Sequence, residues 1–267
     1  MVFIPSNIKI PRLNAYLVVE LDSDELQSLK RAFEFGTCAP FNPRLELVIK
    51  KAPQDYIDKP FGYIRFKENE AGRTKPFVLI DTRLQEQGAV WYVANFASDE
   101  DVKDKMAEST SVVWKIPLKT ECLPITFVNY DIANKDIRED LGNLGVNFPV
   151  KEDYEVEVDC DCGGLDIGRE RKSQQVWATA YPDEYEESTD EDLRRNYMPR
   201  PKKVARLKEG IADKAGVINR WTIPTEARAR KMKDGSMKEF PKGSVVLQLT
   251  YNTDFNWPEY KWPEGSL

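Results

Sequence analysis

The sequence predicts an α+β fold: a mixed, largely antiparallel sheet with several packed helices. Three observations predict it. Short apolar runs rich in β-branched and aromatic residues outnumber segments of helical period. Two adjacent runs, 77–82 and 89–94, read as a hairpin. No period of 20–50 residues repeats, which removes solenoids and propellers. The chain has 267 residues, 41% of them hydrophobic and 11% aromatic, enough to bury a core without disulfide staples.

The elements follow in order. Residues 15–21 (AYLVVEL) read as a buried strand. Ser23, Asp24 and Glu25 start a helix, the acids suiting the positive end of its dipole, and Gly36 stops it. Residues 45–50 (LELVIK) and 61–67 (FGYIRFK) alternate as half-buried strands. The hairpin of 77–94 turns through a short polar loop ending in Gly88. Ser98 caps a surface helix reaching about Met106. Residues 111–118 and 123–130 are two more strands, and Pro117 and Pro124 push them toward edges because proline cannot donate to a ladder. A helix follows near 134–142. Residues 154–158 (YEVEV) and 175–181 (QVWATAY) are strands. Val204, Leu207, Ile211 and Ala215 fall on one helical stripe. Pro224 opens a second helix that ends before Gly235, and 244–251 (SVVLQLTY) closes as a strand. The expected organisation is an α+β core over 1–182, an acidic linker or exposed helix over 183–195, and a basic helical segment with closing strand over 196–267. The aromatic tail of that last region, with Tyr251, Phe255, Trp257, Tyr260 and Trp262, is expected to pack back on the core.

Charge is distributed unevenly. The net charge is −6, yet residues 194–242 hold fifteen basic residues against five acidic ones, a net +10 that leaves −16 elsewhere. An acidic run precedes them: Asp183, Glu184, Glu186, Glu187, Asp190, Glu191 and Asp192. Either this run folds over the basic segment, or the segment binds a polyanion, where clustered Lys and Arg neutralise phosphates and release counterions. The candidate RNA-binding residues are Arg200, Lys202, Lys203, Arg206, Lys208, Arg220, Arg228, Arg230, Lys231 and Lys233, with tRNA or another polyanion as the expected partner.

The chain has no histidine. That excludes the Ser-His-Asp triad, a Cys-His pair and every His-containing zinc site. Cys160-Asp161-Cys162 lacks the spacing of a zinc motif, and Cys38 and Cys122 are isolated; no metal is expected. Flanking Asp159 and Asp161 should keep both thiols of the C-x-C protonated. Residues 163–168 (GGLDIG) match neither G-x-G-x-x-G nor a P-loop, so no nucleotide cofactor is expected. No run of about 18 apolar residues occurs, so no membrane span is expected. The residues before Asp22 lack the charged-then-apolar pattern of a leader peptide. Sparse cysteines point to reduced thiols in a cytoplasmic protein.

Acid/base chemistry then falls to carboxylates at strand mouths, where partial desolvation raises a pKa. Asp81, Glu121 and Asp131 are the catalytic candidates, while Asp22 is read as a cap. A group-transfer enzyme taking an already activated aminoacyl ester from tRNA needs no nucleotide loop, metal or triad, since proximity supplies most of the rate. Peptide-bond formation as cyclodipeptide synthases perform it illustrates that chemistry; the analogy carries no shared motif. The alternatives are a non-catalytic protein-interaction protein and a small-molecule enzyme using carboxylates.

Overall fold

The computed structural model describes residues 2–6, 9–37, 39 and 42–267. Contacts divide it into two compact units: Ile10–Thr37, Pro43–Ile167 and Lys261–Leu267 in one, Met1–Lys9, Cys38–Asn42 and Gly168–Tyr260 in the other. The fold class is α+β with a mixed sheet.

The first unit alternates β1 (Arg12–Leu17), α1 (Ser23–Gly36), β2 (Glu46–Lys51), α2 (Phe61–Glu70), β3 (Phe77–Ile80), α3 (Thr82–Gln87), β4 (Ala89–Phe96), α4 (Asp99–Lys103), β5 (Val113–Lys119), α5 (Leu123–Asp131) and α6 (Ile137–Asn143). The sheet order is β2-β1-β3-β4-β5. β2, β1 and β3 are parallel, while β4 and β5 add antiparallel. The crossovers through α1 and α2 run in opposite directions past β1, so one handedness sets these helices on opposite faces. Accordingly Glu68 of α2 meets Tyr16 on one face, and Tyr130 of α5 meets Tyr92 on the other. Asp22 caps α1 and Glu25 completes a capping box; Ser98 and Asp101 build the same device on α4. Gly36 is required by close approach, because a Cβ there would collide with the Glu121 carbonyl.

In the second unit come α7 (Ile167–Ser173), β6 (Gln175–Ala180), β7 (Tyr185–Ser188), α8 (Glu191–Arg194), β8 (Val204–Leu207), α9 (Ile211–Ala215), β9 (Val217–Ile218), β10 (Thr225–Glu226), β11 (Arg230–Lys231), β12 (Met237–Lys238) and β13 (Val245–Tyr251). β13 pairs with β6 along one side and with β10 and β9 along the other, all antiparallel. Two separate hairpins accompany this sheet, β7–β8 and β11–β12. One face of the sheet is dry: Val176, Ala178, Leu247, Leu249 and Tyr251 pack with Ala205, Leu207 and Ala212.

Several elements differ from the sequence reading. Residues 61–67 are helical because the buried face of α2 holds Ile64, Arg65 and Glu68; two charges on it hide the helical period. Residues 123–130 form α5, with Pro124 in its first turn, where a missing N–H costs nothing. The loop between β3 and β4 is the helix α3, although the two strands do pair antiparallel. Residues 154–158 form no strand. Residues 204–207 are β8, with Val204, Ala205 and Leu207 buried. Residues 225–226 and 230–231 are strands and 233–235 turn, so Pro224 opens no helix there. The acidic run is neither linker nor wholly helical: 185–188 is the strand β7. In the tail, Trp257 lies against Tyr251 with ring centroids 5.2 Å apart, and Trp262 donates to Glu34 at 2.7 Å.

Candidate functional site

The two halves of the basic segment have different fates. In the first, β7 and β8 place opposite charges side by side, since Glu186 faces Arg206 in the register. Arg206 pairs with Glu186 at 2.5 Å and Lys203 with Glu187 at 2.5 Å. Arg200 reaches Glu191 at 3.9 Å. Arg206 also lies over the Trp221 ring, 4.6 Å from its centroid. The acidic run therefore neutralises these three cations within the molecule. Lys202 and Lys208 are exposed beside them, and Arg220 donates to the Gln248 carbonyl at 3.2 Å.

The second half carries a two-stranded ribbon of its own. β10 leaves the sheet, β11 and β12 pair outside it, and the chain returns into β13. The turn is Lys233-Asp234-Gly235. Gly235 adopts a left-handed φ of 84°, and Met232 N donates to the Ser236 carbonyl at 2.8 Å. Asp234 accepts from Ser236 N at 2.9 Å and Ser236 Oγ at 2.6 Å; these bonds hold its carboxyl below the usual range. Arg228, Arg230, Lys231 and Lys233 are exposed. Among the described residues none of the four makes an ion pair. These exposed cations concentrate positive charge on one short stretch.

Aromatic contacts fix the foot of the ribbon. Phe240 packs on Phe3 at 5.5 Å between centroids and on Tyr181 at 6.3 Å, and Lys238 Nζ lies 5.1 Å from the Phe3 centroid. Phe3 bridges Thr179 directly, so its side chain shares a sheet face with Thr179 and, two residues along, with Trp177. That indole is 51% exposed. The foot of the ribbon and an exposed indole thus lie on one face.

The carboxylate candidates lie in the first unit and are not joined to one another by hydrogen bonds. Asp81 follows β3 and caps α3, accepting from Arg83 N at 3.0 Å; its other oxygen accepts from Trp91 Nε1 at 3.0 Å. Glu121 follows β5 in a 3-10 turn. The Ala89–Lys119 register brings β3 and β5 to finish at the same end of the sheet. Asp131 ends α5 and is exposed; its charge adds to burial in raising the Tyr92 pKa.

Two groups in the same unit escaped the sequence reading. Lys115 in β5 is buried in a cage of rings: its Nζ lies 4.5 Å from the Phe61 centroid, 4.9 Å from Tyr154 and 5.2 Å from Trp91. Burial lowers its pKa, which favours a neutral amine. The signal was a lysine inside the apolar run VVWKIPL. The other is a buried carboxylate, Glu68. It accepts from Tyr16 at 3.0 Å, Tyr56 at 2.6 Å and Arg73 at 2.6 and 2.8 Å. Burial pushes Glu68 up, but these bonds outweigh it and leave the carboxyl below its usual range. Burial and the Glu68 charge push the Tyr16 phenol up to about 12.

At the carboxyl ends of β1 and β2 a cavity of 710 Å³ opens, lined among others by Leu17, Val18, Leu26, Lys51, Gln54 and Ile57. Such crevices hold ligands in open sheets with parallel strands. Among the described residues no cluster of three metal-ligating side chains occurs, and no helix is long and apolar enough to cross a membrane. Comparison with known proteins finds no family model, no curated protein and no solved structure that matches this chain.

Proposed function

We propose that this chain binds RNA through the β11–β12 ribbon and the adjoining sheet face. The observation that carries the reading is the contrast within one segment: Arg200, Lys203 and Arg206 have acidic partners, whereas Arg228, Arg230, Lys231 and Lys233 have none among the described residues. Local potential governs such binding despite the net charge of −6, because charges beyond about 10 Å are screened in ordinary salt. Trp177 supports RNA over a duplex. Unpaired bases in loops stack on exposed aromatic rings, and stacking is worth about 1–3 kcal/mol per base. Trp177→Ala should therefore weaken binding of a single-stranded oligonucleotide by that amount in a fluorescence titration. It should leave the affinity for duplex DNA unchanged. An equal loss for both ligands would contradict the stacking role.

Aminoacyl transfer from tRNA is the narrower form of this proposal, with Asp81, Glu121 or Asp131 as base, the first two following strands that end at the same end of the sheet. Asp81→Asn, Glu121→Gln and Asp131→Asn keep shape and remove charge. If the transfer reading holds, one of the three abolishes release of aminoacyl groups from charged tRNA while circular dichroism is unchanged. Undiminished turnover in all three eliminates the carboxylate base. The small-molecule alternative rests on the 710 Å³ cavity, whose volume suits a compact apolar ligand.

A further inference from the structure

Cys122 and Cys162 are forty residues apart in sequence, yet Cys162 Sγ approaches the Cys122 backbone and each thiol shifts the other's pKa. Both are free. Cys122 ends the 3-10 turn that leads into α5 and is buried. Cys162 is half-buried and lines a cavity of 80 Å³ with Thr126, Asn129, Lys135 and Asp140. Its Sγ lies 3.3 Å from Thr126 Oγ1 and 3.8 Å from the Cys122 carbonyl oxygen. The loop that carries it is unusual. Cys162 has a left-handed φ of 60°, followed by Gly163 at 70° and Gly164 at 75°. Strained backbone of this kind clusters at functional sites, and the two glycines let the loop adjust. The backbone of Cys160 is tied down. Cys160 N donates to Pro117 O at 2.8 Å and Cys160 O accepts from Lys119 N at 3.0 Å, so its backbone is fixed to β5.

We propose that Cys122 and Cys162 form a reversible intramolecular disulfide by exchange with a small-molecule disulfide. The half-buried Cys162 thiolate attacks one sulfur of the incoming disulfide, forms a mixed disulfide and expels one thiolate, which takes a proton from water. Cys122 then gives up its proton and attacks Cys162 Sγ, expelling the second thiol. Two protein thiols are oxidised and one small disulfide is reduced to two thiols. The assignment of attacker and resolver follows access, and the electrostatics agree: the neighbouring Cys122 and Thr126 hold the Cys162 thiol below its usual range, whereas its nearness to Cys162 and burial push Cys122 up. The expectation that Cys162 resists ionisation is thereby corrected, because the neighbouring Cys122 and Thr126 lower its pKa. Cys160 fits that expectation, pushed up to about 11 chiefly by burial.

The test equilibrates the full chain with mixtures of oxidised and reduced glutathione, alkylates the remaining thiols and maps peptides by mass spectrometry. Two of the four thiols should disappear together, in one peptide pair joining Cys122 to Cys162, and return on reduction. Cys122→Ser should trap glutathione on Cys162. Wild-type protein that keeps all four thiols in oxidising buffer overturns the proposal. So does a bridge through Cys160 or Cys38, and neither result depends on how the variant folds.

Discussion

Reversing the four ribbon charges, with Arg228, Arg230, Lys231 and Lys233 all changed to Glu, is expected to lower RNA affinity about 1000-fold at 0.1 M salt. Each phosphate contact contributes a log–log salt slope of about −0.7 to −0.9. Four contacts therefore account for about three decades between 1 M salt, where the electrostatic part vanishes, and 0.1 M. The same variant should show a salt slope flatter by about three, and it should lose affinity for every RNA sequence alike. Stability should change little, because the four side chains are exposed and unpaired among the described residues, and surface charges contribute ~0–1 kcal/mol at most. The matching reversal of Arg206 and Lys203 should have far less effect on binding, since Glu186 and Glu187 already satisfy them. Filter binding with tRNA at two salt concentrations checks both. Equal losses from the two sets would show that ribbon and β7–β8 hairpin are not distinct.

The largest effect on stability is expected at Glu68. The residue is 1% exposed and its carboxylate accepts from two tyrosines and Arg73, which ties α2 to β1, to the 3-10 turn at Gln54–Tyr56 and to the chain after α2. Glu68→Ala strands both phenols and removes the partner of Arg73. Arg73, with 45% of its side chain exposed, turns to water, so the cost comes from the two stranded phenols, about 1–3 kcal/mol each, read as a lower denaturant midpoint at unchanged slope. The pH dependence follows from the same bonds. Because the folded carboxyl lies below its ordinary value of about 4.3, its stabilisation is complete above that value and is lost as pH falls through the folded pKa. Wild-type stability should therefore drop in acid more steeply than that of Glu68→Gln. Parallel profiles for the two proteins would show that Glu68 is not the titrating group.

How far the sequence disclosed this arrangement depended on where charge was buried. α1 was legible because its acidic cap and apolar stripe agree. β2, β5, β6 and β13 were legible because β-branched runs dominate them. α2 was not, because Arg65 and Glu68 stand where an apolar period would need hydrocarbon. β8 was mistaken for helix because Val204 and Leu207 satisfy a period of three as well as a strand with one bulky side chain missing, Ala205. The ribbon carried a readable signal, Asp234-Gly235 between two Met-Lys pairs, which is a turn dipeptide between short extended runs; helical spacing across 224–234 obscured it. Of the candidate sites, the basic residues were found by composition alone. Their division into paired and unpaired sets was not, since the pairing of Glu186 and Glu187 with Arg206 and Lys203 depends on a strand register. Lys115 and the Cys122–Cys162 pair were hidden for the same reason: their neighbours come from distant parts of the chain.

The most direct test of nucleic-acid binding is a salt titration of wild-type protein with a single-stranded RNA long enough to reach from the ribbon to Trp177. Saturable binding with a log–log slope of about −3 or steeper is the expected result, as four phosphate contacts require. No saturable binding, or an affinity that does not change with salt, would contradict it.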